Sequence, residues 1–141
     1  MVDADCVISA NLGGRLVGVG SDRLPAWGFV VVRGRSMLPT LREGDLLLVR
    51  GGPEAARRAR PGRLAVVRLP AGRPVSVKRL AVRDGDGWWA ERDNPVEGVD
   101  SWQLGVPVPD ADVLGLVVCR LWPRPFRLPP GPGPAVLSAD G

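Results

Sequence analysis

The sequence contains no histidine and only two cysteines, Cys6 and Cys119, among its 141 residues. The absence of histidine excludes a Ser-His-Asp triad, and two thiolates are too few to complete a tetrahedral zinc site. Because the cysteines lie far apart, one in a weakly patterned stretch and one in an apolar run, no disulfide framework is expected. We therefore expect no metal and no cofactor, and any hydrolytic chemistry must use a base other than histidine.

Long apolar runs are also missing. The longest one covers residues 113–119, far short of the roughly 20 residues that span a bilayer. A targeting segment would need a basic region before an apolar stretch, but the first residues are acidic and the next stretch is interrupted by Gly13-Gly14-Arg15. The sequence thus predicts a cytoplasmic protein without a transmembrane segment.

Lysine is nearly absent as well, because Lys78 is the only lysine among the 19 lysine and arginine residues. The formal net charge is +4, and the arginines are interspersed with aspartate and glutamate. The densest basic run, residues 57–60, is bounded by glycine and proline and is predicted to be a solvated loop. The charge pattern therefore does not predict a nucleic-acid partner.

What the sequence does contain is a series of short apolar runs separated by glycine and proline. Turn-forming dipeptides recur between runs rich in β-branched residues, which predicts strands joined by turns. The predicted strands cover residues 29–32, 46–49, 64–69, 75–82, 88–91 and 113–121, with a loop at residues 92–105. This pattern predicts an all-β fold with little helix, either a folded-over sheet or a partly closed barrel.

The two ends of the chain have a different composition. Residues 1–26 show no sustained period of 2 or 3.6 and are predicted to be a partly disordered leader. Residues 123–141 contain six prolines and are predicted to be a disordered tail. The folded domain is therefore predicted to cover residues 27–122.

Lys78 is the best candidate for a general base. A lysine side chain has a pKa of about 10.4 in water, but burial in apolar surroundings lowers that pKa. On the predicted strand, Lys78 shares a face with Ser76, Leu80 and Val82, and the apolar neighbours provide such surroundings. The alternative is a solvated lysine on an exposed strand face.

Ser36 is the candidate nucleophile. It follows a predicted strand and Gly34 and precedes Pro39, so the backbone enters a short helix or a tight turn there and exposes the hydroxyl. A sharp turn also directs the Ser36 amide away from regular strand pairing, where it could bind an oxyanion. The alternative is an ordinary turn serine.

Three blocks of sequence resemble signal peptidase I and its relatives, in the order that this family has them. The first is Gly34-Arg35-Ser36-Met37-Leu38-Pro39-Thr40-Leu41, followed by Gly44-Asp45 and an apolar strand. The second is Val77-Lys78-Arg79. The third comprises Asp93-Asn94, Asp100-Ser101 and Gly105-Val106-Pro107. The resemblance implies a signal-peptidase-like or LexA-like catalytic domain.

By this resemblance, Ser36 is the nucleophile and Lys78 the general base, while backbone amides of Ser36 and Gly34 bind the oxyanion. The resemblance also implies supporting roles for six residues. Arg79 and Asp93 are expected to form an ion pair that braces the site. Met37 and Pro39 are expected to form its floor. Asp45 and Asp100 are expected to be structural acids. No metal or cofactor is implied.

Three positions of the third block depart from the family pattern. Arg92 stands where the family usually has glycine, Gly98 where a serine often orients the lysine, and Trp102 where an arginine often pairs with the aspartate. These departures favour an alternative in which the domain has weak activity or only binds peptides.

Two groups of relatives suggest different substrates. LexA-type repressors share the Ser-Lys chemistry, but Ser36 leaves no space for an N-terminal helix-turn-helix domain, and Pro39-Thr40 follows the signal-peptidase pattern. The stretches Gly87-Trp88-Trp89 and Leu121-Trp122-Pro123-Arg124 resemble the nickel-type superoxide dismutase maturation proteases. The implied substrate is a protein precursor whose N-terminal leader is removed, and the enzymatic alternative is processing of exported proteins. We expect the substrate to pair with an exposed strand edge at residues 29–33.

Overall fold

The computed structural model describes residues 7–12, 15–18, 24, 26–70, 75–96 and 98–127, and the described part is mainly antiparallel β-sheet. Ten strands are present: β1 Val7–Leu12, β2 Arg15–Gly18, β3 Gly28–Arg33, β4 Leu46–Gly51, β5 Leu64–Arg68, β6 Val75–Asp84, β7 Gly87–Glu91, β8 Val108–Pro109, β9 Val113–Trp122 and β10 Phe126–Arg127. Within these residues, helix is limited to two single turns, α1 Ala55–Arg58 and α2 Ser101–Leu104, and a 3-10 turn at Asp110–Asp112.

The strands form one sheet that folds over on itself. Their order is β2-β1-β3-β4-β9-β5-β6-β7-β8, with β10 paired to β9. One further pairing, between Val7 of β1 and Ser76 of β6, brings the two sides of the sheet together. The predicted all-β fold, a folded-over sheet or partly closed barrel with little helix, is confirmed.

At β5 both faces of the sheet are covered by apolar packing. Leu64 and Val66 belong to one core cluster, whereas Ala65 and Val67 belong to the other. Successive side chains of a strand point to opposite faces, so a strand buried on both faces has a continuous apolar sequence. This explains why residues 64–67 of β5 are an unbroken run of leucine, alanine and valine.

The helical turn α2 lies in the segment predicted to be a loop. Asp100 caps it, because its carboxylate accepts a hydrogen bond from the Gln103 amide and the Gln103 side chain accepts one from the Asp100 amide. Gly105 then ends the turn with a φ of 79°, a conformation that glycine adopts without strain. Reciprocal capping at spacing three stabilises even a single turn.

The edge of β3 is not exposed, so the prediction that a substrate strand pairs with an exposed edge at residues 29–33 is wrong. One side of β3 pairs with β1 over five residue pairs, from Phe29 with Asn11 to Arg33 with Val7. The other side pairs with β4. Both edges are therefore occupied by strands of the same chain.

The predicted boundaries at residues 27 and 122 stay predictions. Strands β1 and β2 precede the first boundary and β10 follows the second. The outermost parts of the predicted leader and tail, residues 1–6 and 128–141, lie outside the described residues. Among the helices of the described part, none has the length and apolar character needed to cross a membrane.

Candidate active site

Ser36 and Lys78 lie side by side although 42 residues separate them in the sequence. Lys78 Nζ is 2.9 Å from Ser36 Oγ, which is within hydrogen-bonding distance. Both residues are fully buried, with no exposed surface. The structure therefore holds a hydroxyl and an amine in contact, away from bulk water.

Strand β6 places Lys78 among small and apolar neighbours. In the pairing of β5 with β6, Lys78 lies opposite Ala65 and Ser76 lies opposite Val67. Residues directly opposite each other share a face of the sheet, and Ala65 and Val67 belong to a buried apolar cluster. Lys78 thus occupies an apolar side of the sheet, as its predicted strand face implied.

The Ser36 side of the site is a tight turn that follows β3. Gly34 has a φ of 85°, a value that favours glycine and allows the chain to leave the strand sharply. The turn continues through the hydrogen bond from the Leu41 amide to the Met37 carbonyl. Of the two alternatives for this segment, a short helix or a tight turn, the structure has the tight turn.

Next to Lys78, Arg79 forms an ion pair with Asp93 on two hydrogen bonds. Nε lies 2.9 Å from Oδ1, and Nη2 lies 2.6 Å from Oδ2. Nη1 also donates to the Gly62 carbonyl at 2.7 Å. The side chains are only 9% and 14% exposed. Because adjacent strand residues point to opposite faces, this charge pair lies across the sheet from Lys78.

Two residues without a predicted role connect the Ser36 turn to the Asp93 segment. Thr40 Oγ1 donates to Asp93 Oδ2 at 2.5 Å. The Asn94 amide donates to the Ser36 carbonyl at 2.8 Å, and its side-chain amide donates to the Arg35 carbonyl at 2.9 Å. Both residues lie inside the sequence blocks that carry the family resemblance, and this position was the only indication in the sequence that they belong to the site.

The other residues with predicted supporting roles lie in different places. Met37 is fully buried in a core cluster, whereas Pro39 is exposed. Asp45 is buried, accepts a hydrogen bond from the Arg42 amide at 2.9 Å, and pairs with Arg120 at 3.4 Å.

Asp100 is buried and belongs to the reciprocal cap of α2. The catalytic and supporting roles assigned to all these residues, and the oxyanion role of the Gly34 and Ser36 amides, stay predictions.

The positions that depart from the family pattern have their own contacts. Arg92 donates to the carbonyls of Gly98 and Pro95, both at 3.0 Å, and so ties together the segment after Asp93. Trp102 stacks on Trp89, with ring centroids 4.2 Å apart and planes at 6°. These contacts give the third block internal support that does not depend on an arginine at residue 102.

The described part of the chain has no group of three or more cysteine, aspartate and glutamate side chains placed to hold a metal ion. The chemistry offered by the Ser36 and Lys78 side chains themselves is that of a hydroxyl beside an amine. Such a pair can act as a nucleophile with its base.

The comparison with known protein families identifies a relationship. The model of the Peptidase S24-like family matches residues 19–105, more than half of the chain and a range that includes both Ser36 and Lys78. This family is part of the superfamily of LexA-like and signal-peptidase-like proteins. No curated protein and no solved structure matches the chain. The family match does not extend to the narrower group of nickel-type superoxide dismutase maturation proteases.

Proposed function

Because the chain belongs to the Peptidase S24-like family, we propose that it is a serine endopeptidase with Ser36 as nucleophile and Lys78 as general base. The observation that carries this proposal is the 2.9 Å contact between two fully buried groups, Lys78 Nζ and Ser36 Oγ. Serine is a weak nucleophile until a neighbouring base removes its proton, and an amine in contact with the hydroxyl is placed to do so.

The proposed reaction begins with a neutral Lys78. Burial disfavours the charged ammonium form, so it lowers the pKa of a lysine side chain. The Nζ lone pair accepts the Ser36 proton while Oγ bonds to the carbonyl carbon of the scissile peptide. Backbone amides of Gly34 and Ser36 are the proposed donors to the oxyanion that forms.

The second half of the reaction returns the proton. The tetrahedral intermediate collapses, the C–N bond breaks, and Lys78 donates its proton to the leaving amine. A water molecule then transfers a proton to Lys78 and attacks the acyl carbon. Breaking of the C–O bond to Oγ releases the acid, and Ser36 recovers its proton from Lys78.

The proposed substrate is a precursor protein from which an N-terminal leader is removed, with a nickel superoxide dismutase precursor as the first candidate. The support for this substrate is the resemblance at residues 87–89 and 121–124. Action in the cytoplasm stays part of this proposal. Processing of exported proteins is the enzymatic alternative, and association of the protein with a membrane fraction would favour it.

The test is incubation of the purified protein with a candidate precursor, followed by mass spectrometry of the products. We expect one new N-terminus with the wild-type protein and none with Ser36→Ala or Lys78→Ala. Thermal unfolding of the two variants serves as the control for folding. Cleavage by either folded variant would contradict the assigned roles.

A second candidate function is that of a peptide-binding domain without turnover, which the departures at Arg92, Gly98 and Trp102 favour. The same experiment separates the two functions. Binding of a leader peptide by the wild-type protein, with no cleavage after prolonged incubation, would support the second candidate.

A further inference from the structure

A cavity of about 410 Å³ lies beside the turn that carries Ser36. Pro39 and Thr40 form one wall of this cavity, and they follow Ser36 by three and four residues. The cavity is also lined by Arg120, near the end of β9, and by Arg124 in the segment after it. Thr40 also donates to Asp93, so the cavity lies next to the Arg79–Asp93 ion pair as well as to the Ser36 turn.

The charges that line the cavity are mostly positive. Arg42, Arg120 and Arg124 line it together with one acid, Asp45. The Asp45 carboxylate already accepts the Arg42 amide and pairs with Arg120. One carboxylate facing three guanidinium groups leaves the cavity with an excess of positive charge.

Arg120 is held in place by the protein. Its Nε donates to the Arg124 carbonyl at 3.1 Å, and Nη1 lies 3.4 Å from the Thr40 carbonyl. Within the described part of the chain, the side chains of Arg42 and Arg124 make no hydrogen bond or ion pair. Two guanidinium groups that line the same cavity are suited to bind a carboxylate, since each offers paired N–H donors.

A second cavity is also lined by three arginines, but arginine content alone does not identify a carboxylate-binding site. This cavity of about 230 Å³ contains Arg50, Arg58 and Arg63. Arg50 lies over the Trp27 ring at 5.5 Å, and Arg63 donates to the Val117 carbonyl at 3.4 Å. Two of its three cations are thus already in contact with the protein.

We propose that the cavity beside the Ser36 turn, here called the arginine cavity, binds a carboxylate side chain of the polypeptide substrate. This inference rests on the proposed peptidase function, because it assigns the cavity to a residue near the scissile bond. A few residues of extended chain span about 10 Å, so a bound substrate that crosses Ser36 can reach a cavity formed by residues of the same turn. The substrate class is therefore a polypeptide with aspartate or glutamate close to the cleavage site.

The test uses a small probe and does not depend on cleavage. N-acetylglutamate amide, N-acetylglutamine amide and inorganic phosphate are each titrated at constant ionic strength into the ¹⁵N-labelled protein. Binding is followed through the backbone amide signals of Arg42 and Arg124. We expect the glutamate probe to bind about tenfold more tightly than the glutamine probe, because only the former offers a charged acceptor.

Two double variants locate the effect. Arg42→Gln with Arg124→Gln removes two cations of the arginine cavity, and we expect it to abolish the preference for glutamate. Arg57→Gln with Arg58→Gln removes the same charge elsewhere, including Arg58 of the second cavity, and we expect it to keep the preference. All four side chains are exposed, so both variants should fold.

Each other outcome overturns the proposal. Equal affinity for the two amino-acid probes, or no binding, removes the carboxylate site. Binding of phosphate without binding of the glutamate probe indicates a site for free anions instead. An equal loss in the two double variants indicates an effect of overall charge. Failure of Ser36→Ala to stop cleavage would sink the proposed mechanism but leave this titration unaffected, so the two failures are distinguishable.

Discussion

Strand β6 carries two Arg–Asp ion pairs that start four residues apart and lie in different environments. Arg79 with Asp93 is nearly buried, with side chains 9% and 14% exposed. Arg83 with Asp110 is largely in water, with side chains 40% and 34% exposed. Both pairs use two hydrogen bonds between the guanidinium and the carboxylate. The chemistry is the same, and only the surroundings differ.

The cause of the difference is the length of the neighbouring strand. Strand β5 pairs with β6 only as far as Arg79, so the first half of β6 is covered on one side by β5. Beyond that point β6 continues as a hairpin with β7, and its last three residues are exposed. Polar side chains in the first half of β6 are therefore buried and need partners within the protein. Polar side chains in the second half can be hydrated.

Burial thus determines how strongly a polar residue of β6 affects the stability or the chemistry of the protein. In the exposed half, the hydrogen bonds that Arg83 donates to the Asp110 carboxylate raise the pKa of Arg83, but a guanidinium is protonated at neutral pH in any case. In the buried half, Lys78 and Arg79 are adjacent and face opposite sides of the sheet. Substitutions in the two halves should therefore differ in size.

The largest effect is expected for Lys78→Arg. Arginine is always protonated at neutral pH and cannot accept the Ser36 proton, so kcat/KM for a cleaved leader peptide should fall by at least about a thousandfold. The matched control is Arg83→Lys in the exposed half of β6, which should leave kcat/KM unchanged. Activity within about tenfold of wild type for Lys78→Arg would show that Lys78 is not the base.

The next effect is on stability, in Asp93→Asn. This change leaves the buried Arg79 guanidinium without a counter-charge, so the free energy of unfolding should fall by about 3 kcal/mol. Urea denaturation followed by tryptophan fluorescence measures the change. A loss below about 1 kcal/mol would mean that the Gly62 carbonyl and Thr40 are sufficient partners for Arg79.

The same substitution in the exposed half, Asp110→Asn, should cost only about 0.5 kcal/mol, because an exposed pair gains little over hydration. Added salt should reduce even this loss by screening. Comparison of the Asp110→Asn and Asp93→Asn variants isolates the effect of burial on the cost of losing the carboxylate. Equal losses in the two variants would show that burial does not set the cost of losing the carboxylate.

The smallest effect is expected for Ser76→Ala in the buried half. Ser76 is fully buried, and its hydroxyl has no hydrogen-bond partner within the described residues. Removal of an unsatisfied hydroxyl gives back its desolvation cost but also removes buried packing contacts. Because the two effects oppose each other, stability should stay within about 0.5 kcal/mol of wild type. A clear loss in urea denaturation would reveal a partner for this hydroxyl.

Strands β3 and β4 were predictable from the sequence, since apolar and β-branched runs such as residues 29–32 and 46–49 favour strands. Strand β1 was not predictable, because its pairing depends on the edge that β3 offers rather than on a period of its own. The turn α2 was missed for a related reason. Four residues are too few to show a helical period, and α2 depends on the reciprocal caps of Asp100 and Gln103.

The candidate site was predictable only in part. The spacing of Ser36 and Lys78 along the chain contains no information on their contact, so their pairing was expected from family resemblance alone. Thr40 and Asn94 could not be assigned from local sequence, because their contacts depend on how the Ser36 turn packs against the segment after β7. Single side chains that join two loops leave no periodic pattern.

The burial of Lys78 also allows unfolding of the sheet to be measured by proteolysis of the unmodified chain. Lys78 provides the only side-chain amine of the sequence, and it has no exposed surface. A lysine-specific endoprotease therefore has a single target bond, after Lys78, and that bond lies within a paired strand. The rate of this one cut measures how often the centre of the sheet opens, without any label or engineered residue.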